Sequence, residues 1–493
     1  MPEQKPSGRA TIELNRMTKF SRTRAMHQFY RDVFTRTLDL PEADVLPAHV
    51  VAEILHYRNS DLDTMKPTLM AAVTGLEADK DEAIKALMCA ITLANNAFDV
   101  KNQGQQQAFP AEMAEAVTNY VVAALQKEKS LNFVVAAVQI LFRINEIESA
   151  LFLISNNLSL LSNSAPVLKI LLLICLMEED DNQAQIVIQH LTADSALLGE
   201  DPFALLMIVC GIYRLGGVPE SFIDFRPLAE IEPVPDYSRY QWRIPHTGNG
   251  KTTVLVACDK KYYLEHARAL VASIYDTNGT DLNVHLHVYN CDDDLHAQVR
   301  ELAQRFPGLA ISLSAEEVPA VHGINVHYAS RRFIFMRYAL EQFAAPVLLL
   351  DADCLVRQRW QETLRTFYPK GLILTQNDAA PLWERVQGGF LYADADALGF
   401  RYLDTVARFI DRNLASGNAV WFLDQVALSF AVDVLPAVDQ MQIGREPASR
   451  LIDINHRNEA FSWVVTTHKN GDGEYQQYKN ALCEKYLAAH EAY

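Results

Sequence analysis

The first half of the chain has the spacing of apolar residues that is typical of helices. Over residues 40–229, apolar side chains recur every three or four positions, as at Ile84, Leu87 and Ile91. This spacing places them along one face of an amphipathic helix. Alternation typical of strands is absent, and turn sequences separate the segments. The pattern predicts an all-α domain over 40–229.

Three of these predicted helices are similar to one another, at 132–145, 165–178 and 201–215. Pro166 and Pro202 stand at matching helix starts, 36 residues apart, where proline is tolerated. A helix pair that repeats at about 34 residues is typical of a tetratricopeptide-like solenoid. An irregular helical bundle is the alternative, and either arrangement predicts a docking or dimerisation surface.

The second half of the chain follows a different pattern. Three prolines and a glycine-containing turn at 230–250 predict a linker. After it, β-branched or apolar runs such as 252–258, 283–289 and 346–350 alternate with helical segments. The alternation predicts an α/β domain over 251–493, with a mostly parallel sheet between helices. Ligands bind such sheets at the carboxyl ends of the strands.

Composition narrows the class of protein. The 493 residues carry a net charge of −17, which disfavours binding to nucleic acid. The predicted tail 1–39 is basic over residues 1–36, with eight Lys and Arg against three acids, and is either solvated or a weak tether to anionic lipid. We find no apolar run long enough to span a membrane and no secretory signal. The seven cysteines include no CxxC pair, which predicts a reducing, cytoplasmic location.

Two carboxylates follow the apolar run 346–350, in the sequence Asp351-Ala-Asp353. Residues i and i+2 of an extended segment share a side, so these carboxylates repel each other unless a cation lies between them. Hard oxygen ligands suit Mn²⁺ or Mg²⁺, particularly when substrate phosphates complete the shell. The sequence therefore predicts a metal site here, with a surface turn as the alternative.

Two further segments carry side chains suited to a nucleotide sugar. Tyr262 could stack on a base and Asp259 could accept from a base N–H, although Asp259 could instead cap the next helix. The glycines of Gln387-Gly388-Gly389 allow a ligand to approach the backbone closely, or form a plain turn.

The last two candidate motifs lie nearer the end of the chain. Asp424-Gln425 could present a carboxylate and an amide to a sugar, or Asp424 could be a helix N-cap. His468 is a candidate metal ligand and Lys469 a point charge for a diphosphate, with a surface turn as the alternative.

Taken in order, these motifs resemble those of GT-A glycosyltransferases, and glycosyltransferase family 8 most of all, over about residues 252–475. The family's nucleotide-binding pattern is similar to Ala257, Asp259 and Tyr262. The resemblance also implies roles for an arginine on the helix before the metal strand and for three metal ligands. These residues are Arg337, Asp351, Asp353 and His468, of which Asp351 would also contact the donor diphosphate.

The sugar end of the resemblance departs from the family pattern. Gln387-Gly388-Gly389 stands where the family has Asn-Ala-Gly, and Asp424-Gln425 matches its Asp-Gln-Asp loop without the third acid. The family's His-Phe-x-Gly-x-x-Lys-Pro-Trp is reduced to His-Lys-Asn-Gly, which leaves Lys469 as a candidate diphosphate ligand.

The resemblance implies a metal-dependent transferase that moves a hexose from a nucleotide diphosphate sugar, UDP-linked, with retention of configuration. Asp424 and Gln425 would orient the sugar in the catalytic centre. The acceptor would be a protein or a cell-surface glycan, held by the helical domain, which could alternatively form a homo-oligomer. A non-catalytic interaction protein with a degenerate sugar-nucleotide domain is the alternative. A nucleotidyltransferase is disfavoured because no glycine-rich loop follows the first strand.

Overall fold

The structure is a computed structural model of the chain that divides into two compact units. One unit comprises Met1–Gly217 with Ala379–Pro381, and the other comprises Val218–Asp378 with Leu382–Tyr493. The structure describes residues 26, 28–36, 38, 40, 46–55, 60–72, 77–98, 109–230, 235–367, 370–377, 380–465 and 473–487.

The first unit is helical in the part of the chain that the structure describes. Its helices are α1 (Gln28–Thr35), α2 (Ala48–Leu55), α3 (Leu62–Ala72), α4 (Ala78–Ala94), α5 (Ala111–Lys127), α6 (Leu131–Arg143), α7 (Ile147–Asn156), α8 (Leu158–Leu161), α9 (Ala165–Met177), α10 (Asp181–Ala193), α11 (Ser195–Leu198) and α12 (Pro202–Arg214).

The three similar segments form helices as predicted. They correspond to α6, α9 and α12, and a proline lies in the first turn of both α9 and α12. Asp201 begins α12 by accepting hydrogen bonds from the backbone N–H groups of Phe203 and Ala204, at 3.0 and 3.1 Å. Most residues of α6 and α9 are buried, because these helices are apolar nearly all round. The solenoid arrangement of these helices stays a prediction.

The second unit contains two sheets. Its strands are β1 (Tyr240–Ile244), β2 (Thr253–Cys258), β3 (Asn283–Tyr289), β4 (Ile311–Glu316), β5 (Val347–Leu350), β6 (Cys354–Val356), β7 (Leu372–Gln376), β8 (Val386–Ala393), β9 (Ile443–Glu446), β10 (Ile452–Asp453) and β11 (Ser462–Val464). The larger sheet has the order β1-β4-β3-β2-β5-β8-β7-β9, and the smaller has the order β10-β11-β6. In the larger sheet the pairs β1–β4, β5–β8 and β7–β8 are antiparallel, and the other pairs are parallel.

Helices connect these strands and complete an α/β fold. They are α13 (Arg226–Ala229), α14 (Lys260–Tyr262), α15 (Arg268–Asn278), α16 (Asp293–Arg305), α17 (Ile324–Phe343), α18 (Trp360–Arg365), α19 (Ala397–Ala415), α20 (Leu423–Asp433), α21 (Ala437–Gln440), α22 (Ala448–Leu451) and α23 (Glu474–Tyr486). Strands β3, β4 and β5 are buried along their whole length, which is typical of strands covered on both faces.

The predicted strands at 252–258, 283–289 and 346–350 correspond to β2, β3 and β5. The segment 230–250, predicted as a linker, differs because it contains β1. This strand pairs antiparallel with β4 and forms an edge of the larger sheet. Among the described residues, we find no helix that is both long and apolar enough to cross a membrane.

A ladder of buried polar side chains joins β3 to β4. The two ring nitrogens of His285 lie 2.8 Å from the hydroxyl oxygens of Ser312 and Ser314. His287 lies 2.8 Å from the same Ser314 hydroxyl and 3.4 Å from a carboxylate oxygen of Glu316. All five side chains are buried, and the ladder satisfies their hydrogen-bonding groups within the core.

Candidate functional site

The sheet delivers Asp351 to the end of a central strand. Strand β5 ends at Leu350, and the next backbone N–H, that of Asp351, donates to Gly389 O in β8 at 3.0 Å. The chain then turns, because Cys354 N donates back to Asp351 O at 3.0 Å. The hydroxyl of Tyr475 donates to Asp353 O at 2.7 Å and fixes the second acid of the pair. Both carboxylates therefore belong to a tightly held turn at the carboxyl end of β5.

An arginine on α17 lies between two carboxylates of this region. Arg332 forms an ion pair with Asp351 through one terminal nitrogen, and its other terminal nitrogen lies 3.6 Å from Asp424 Oδ2. The Arg332 and Asp424 side chains are 12% and 11% exposed, whereas that of Asp351 is 30% exposed. One guanidinium thus joins an acid at the end of β5 to an acid at the start of α20.

At two glycines of β8, Gly388 and Gly389, the backbone lies close to Arg332 and its two carboxylate partners. A Cβ on Gly388 would lie 3.0 Å from Asp424 Oδ2 and 3.1 Å from Arg332 Nη2. A Cβ on Gly389 would lie 2.9 Å from Asp351 Oδ2. A side chain at either position would collide with these groups, so the glycines allow the carboxylates and the guanidinium to lie close to the β8 backbone. The preceding Gln387 is half-buried, and its carbonyl accepts from the Thr375 hydroxyl at 3.2 Å.

Asp424 lies in the first turn of α20 and not at its N-cap. The N-cap is Phe422, whose φ of +74° is in the left-handed region. Burial raises the pKa of the Asp424 carboxyl, and the charge of Arg332 acts in the opposite direction. The side-chain oxygen Oε1 of the next residue, Gln425, is buried and has no hydrogen-bond partner among the residues that the structure describes. Buried side-chain acceptors without a partner are uncommon in folded proteins.

A second group of polar and aromatic side chains lies at the ends of β2 and β3. Asp259 caps α14 by accepting from Tyr262 N at 2.8 Å, which is the structural role foreseen for it, and Tyr262 is exposed. Burial and then the charge of Asp259 raise the pKa of Tyr328 on α17. Tyr328 also stacks on Tyr289, with ring centroids 4.7 Å apart, and its hydroxyl accepts from Asn290 at 3.2 Å. Aromatic rings and an acid therefore lie together at this edge.

The remaining predicted nucleotide ligands are placed differently. Ala257 is half-buried and pairs with His287 of β3 within the sheet. Arg337 pairs with Asp404 at 2.5 Å and with Glu341 at 2.9 Å. The arginine beside the acid pair is Arg332, not Arg337.

The predicted metal ligands are described only in part. Asp351 and Asp353 are described, but His468 and Lys469 lie outside the described residues. Within the described residues, we find no group of three or more His, Cys, Asp or Glu side chains that could hold a metal ion. Asp351 and Asp353 carry carboxylate oxygens, the ligand type that suits a hard divalent cation with further ligands from a substrate, and Asp351 is also paired with Arg332.

Sequence reasoning missed Arg332, Tyr328 and Asn290. Arg332 and Arg337 are five residues apart, so they point about 140° apart around α17. Tyr328 and Arg332 are four residues apart and share one face of that helix. The sequence carries no clear signal that distinguishes the two arginines, because Phe333, Ile334, Phe335 and Met336 are all fully buried and point to every side of α17.

No protein-family model matches the chain, and no curated protein matches it. Solved structures that are similar to it include a bifunctional glycosyltransferase, WbbM, in its apo form, with 12% identity and a TM-score of 0.33 over 59% of this chain and 58% of that one. Another is the glycosyltransferase GlyE of Streptococcus pneumoniae TIGR4, with 12% identity and a TM-score of 0.32 over 48% of this chain and 63% of that one. A third is mouse xyloside xylosyltransferase 1, with 10% identity and a TM-score of 0.30 over 45% of this chain and 99% of that one.

These three structures are glycosyltransferases, and the chain spans less than two thirds of the length of WbbM and GlyE.

Proposed function

We propose that the chain is a metal-dependent glycosyltransferase that moves a hexose from a nucleotide diphosphate sugar, UDP-linked, to an acceptor. The observation that carries the proposal is Arg332, which joins Asp351 and Asp424 beside the glycine backbone of β8. Acids and a cation at the carboxyl end of a sheet suit a charged, polyhydroxylated ligand.

Each side chain of the candidate site would contact the part of the donor that suits its chemistry. Asp351 and Asp353, with His468, would hold Mn²⁺ or Mg²⁺, which when bound stabilises the negative charge of a departing diphosphate. Arg332 would neutralise charge near Asp351, and Lys469 would add positive charge at the diphosphate. Asp424 and Gln425 would accept hydrogen bonds from sugar hydroxyls and orient the sugar, and retention of configuration is part of the proposal.

The nucleoside would bind beside Asp259 and Tyr262. The exposed ring of Tyr262 offers a stacking surface, and the Tyr328 hydroxyl and Asn290 offer polar contacts nearby. Asp259 already accepts one backbone hydrogen bond and would use its remaining lone pairs for the base or ribose.

Donor hydrolysis tests the proposal directly. UDP-hexoses are incubated with Mn²⁺, with and without EDTA, and UDP release is measured. We expect Asp351→Asn and Asp353→Asn to lower the rate by roughly a hundredfold or more, because each removes a carboxylate that would hold the cation beside the leaving group. Asp281→Asn is the matched control, since Asp281 pairs with Arg359 on the surface. Full turnover in EDTA, or in either site variant, would refute metal dependence at this site.

A sugar-nucleotide-binding protein without turnover is the second candidate. It is favoured by the ion pair between Arg332 and Asp351, because this pair already neutralises one acid without a bound cation. Calorimetry with UDP and UDP-hexoses in EDTA tests it. Binding without metal, together with no UDP release over many hours in Mn²⁺, would select this candidate.

We further infer that the helical unit holds a protein or large glycan acceptor. Phe152 on α7 is 72% exposed, which is unusual for a large apolar side chain. We expect Phe152→Ser to lower transfer to a macromolecular acceptor while leaving donor hydrolysis unchanged. Equal loss of both activities would indicate a structural role instead.

A further inference from the structure

A cavity lies at the edge of the larger sheet of the α/β unit. Its volume is about 310 Å³, and it is lined by the end of strand β1 and by helix α16. The lining residues are Arg243, Ile244, Pro245, Arg300, Ala303 and Gln304. Of these six residues, the two arginines alone carry a charge. The volume falls at the lower end of the range of small-molecule sites, which is roughly 300–1,000 Å³.

Arg243 comes to the cavity from an irregular position in β1. Where β1 pairs with β4, Trp242 lies opposite Ser314 and Ile244 lies opposite Leu313. Arg243 is therefore an extra residue in the strand, which is the feature that defines a β-bulge. Bulges are frequent at the edges of sheets, where they change the direction of a side chain, and β1 is an edge strand. The bulge thus sets the direction in which Arg243 leaves the strand.

Arg300 comes to the cavity from α16, where its neighbours on the helix surface are not acidic. Residues three and four positions apart are neighbours on such a surface. Around Arg300 these neighbours are His296, Ala297, Ala303 and Gln304. Arg305 on the same helix differs, because it pairs at 2.9 Å with Glu301, which lies four residues before it. The helix therefore neutralises Arg305 but not Arg300.

The charges of the two cavity arginines are not balanced by acids in the described part of the chain. There, Arg243 and Arg300 form neither an ion pair nor a side-chain hydrogen bond. Arg239, just before β1, instead pairs with Glu316 and Asp411, at 3.4 and 2.9 Å. Two guanidinium groups that share a cavity repel each other, and an anion between them offsets this repulsion. The lining thus favours a negatively charged ligand, although the whole chain has a net charge of −17.

We propose that this cavity binds the phosphate group of a small phosphate monoester. A phosphate monoester carries about 1.5 to 2 negative charges at pH 7 and three acceptor oxygens, which match two arginines. A carboxylate carries one charge, and a single arginine binds both of its oxygens. The amide of Gln304 adds a donor, and Ile244, Pro245 and Ala303 would contact the carbon atoms of the ligand.

The proposed phosphate site is separate from the candidate donor site, and phosphate binding here does not depend on the proposed function. Helix α16 begins after Asp292, whose carboxylate pairs at 2.7 Å with Lys260, the residue that follows Asp259. Arg300 lies eight residues further along the chain, which corresponds to about 12 Å of helical rise. The cavity is therefore distant from the end of α16 at which the nucleoside is proposed to bind.

Calorimetry with phosphate monoesters tests the proposal. The whole chain is titrated at low ionic strength with glycerol 3-phosphate, glucose 6-phosphate and ribose 5-phosphate. We expect at least one of them to bind, and Arg243→Gln and Arg300→Gln each to raise its Kd roughly tenfold, because each removes charged hydrogen-bond donors. Arg365→Gln is the matched control, since Arg365 is an exposed helical arginine in the same unit.

Three outcomes of this titration would overturn the proposal. They are an unchanged Kd in either cavity variant, an equal change in Arg365→Gln, and no binding of any of the three monoesters. Glycolate is the carboxylate probe, and glycolate binding as tight as that of the best monoester would overturn the assignment to phosphate. Binding to phosphatidic acid vesicles without binding of a soluble monoester would overturn the assignment to a small molecule.

Chemical protection tests where the phosphate binds. Phenylglyoxal modifies arginine side chains, and peptide mass spectrometry measures the modification at each position. We expect the tightest monoester to protect Arg243 and Arg300 and to leave Arg365 unprotected. Protection in a chain that hydrolyses no donor would refute the transferase and retain this site. No protection at either cavity arginine, or equal protection of Arg365, would overturn the site.

Discussion

Arg332 Nη2 and Asp424 Oδ2 lie 3.6 Å apart, between two helices of the α/β unit. The same guanidinium pairs with Asp351, so its one positive charge offsets two acids. A buried or half-buried carboxylate still bears the free-energy cost of desolvation when its cationic partner is removed, but it loses the attraction that offset this cost. The arginine therefore has a role in stability that is separate from any role in binding.

Replacing this arginine should destabilise the unit. We expect Arg332→Met to lower the free energy of unfolding by roughly 3 kcal/mol, because Asp351 and Asp424 lose their cation. Urea denaturation measures the change. Arg337→Met is the control on the same helix, and its loss should be smaller because its partners Asp404 and Glu341, at 26% and 56% exposed, are both less buried than Asp424 at 11%. Equal losses in the two variants would contradict the bridging role of Arg332.

A methyl group on Gly389 should block the site beside Asp351. The new Cβ would lie 2.9 Å from Asp351 Oδ2, but also 2.5 Å from Ile452 Cδ1, so Gly389→Ala alone mixes two effects. Ile452→Val removes the Cδ1 atom. We expect Gly389→Ala in the Ile452→Val background to fold with a melting temperature near that of Ile452→Val, yet to bind UDP-hexose at least tenfold more weakly.

The control for this substitution is Gly248→Ala, where a Cβ would meet no atom within 4 Å. It should leave UDP-hexose binding unchanged in calorimetry. Wild-type affinity in the Gly389 double variant would show that the space beside Asp351 takes no part in donor binding.

The polar ladder should make stability depend on pH. Burial, and then the charge of its neighbour His287, hold the pKa of His285 well below its ordinary value; burial also lowers the pKa of His287, although Glu316 opposes it. The unfolded chain therefore takes up protons that the folded chain excludes. Stability is full above the unfolded histidine pKa of about 6.5 and falls as the pH drops below it.

Denaturant titrations between about pH 8 and pH 5 measure this slope. We expect it to decrease in His285→Gln, which keeps hydrogen-bonding groups for Ser312 and Ser314 but does not titrate. Glu316 contributes in a lower window: burial raises its pKa, but its bond to His287 and nearby arginines outweigh burial, so its stabilisation is lost below about pH 4.5. An unchanged slope in His285→Gln above pH 5 would count against the histidines as its source.

Metal binding should stabilise the fold in the absence of any donor. A cation held by Asp351 and Asp353 adds about 2.7 kcal/mol at a hundredfold excess over its Kd. We expect Mn²⁺ to raise the melting temperature of the wild type, EDTA to reverse the rise, and Asp353→Asn to lose it. The same rise in Asp353→Asn would place the cation elsewhere.

The regular part of the fold follows from local sequence patterns. The fully buried strand β3 has the bounds that its β-branched alternation predicts, because a strand in a central parallel position leaves little freedom at its ends. Strand β1 was not predicted, although Tyr240–Ile244 alternates buried and exposed positions. The short length of this segment and the nearby prolines favoured a linker over a strand. The segment is a strand because it pairs with β4, which is distant in the sequence.

The local sequence singles out the two acids that contact Arg332, but it does not single out Arg332 itself. Asp351 stands out because it follows an apolar strand. Asp424 stands out because it precedes Gln425 and an apolar segment. The choice between Arg332 and Arg337 depends on the rotation of α17 against the sheet, which is a tertiary property. The start of α20 depends on Phe422 adopting a left-handed conformation that no residue preference favours.

Helix α17 sets a fixed spacing between two parts of the candidate site. Tyr328 lies near Asp259 and Arg332 contacts Asp351, and one helical turn, about 6 Å of rise, separates the two residues. Insertion of a single residue between them would rotate one side chain about 100° away from the other. The four residues from Tyr328 to Arg332 therefore fix the distance between the two parts of the site. We expect loops elsewhere in this unit to accept insertions that this stretch of α17 does not.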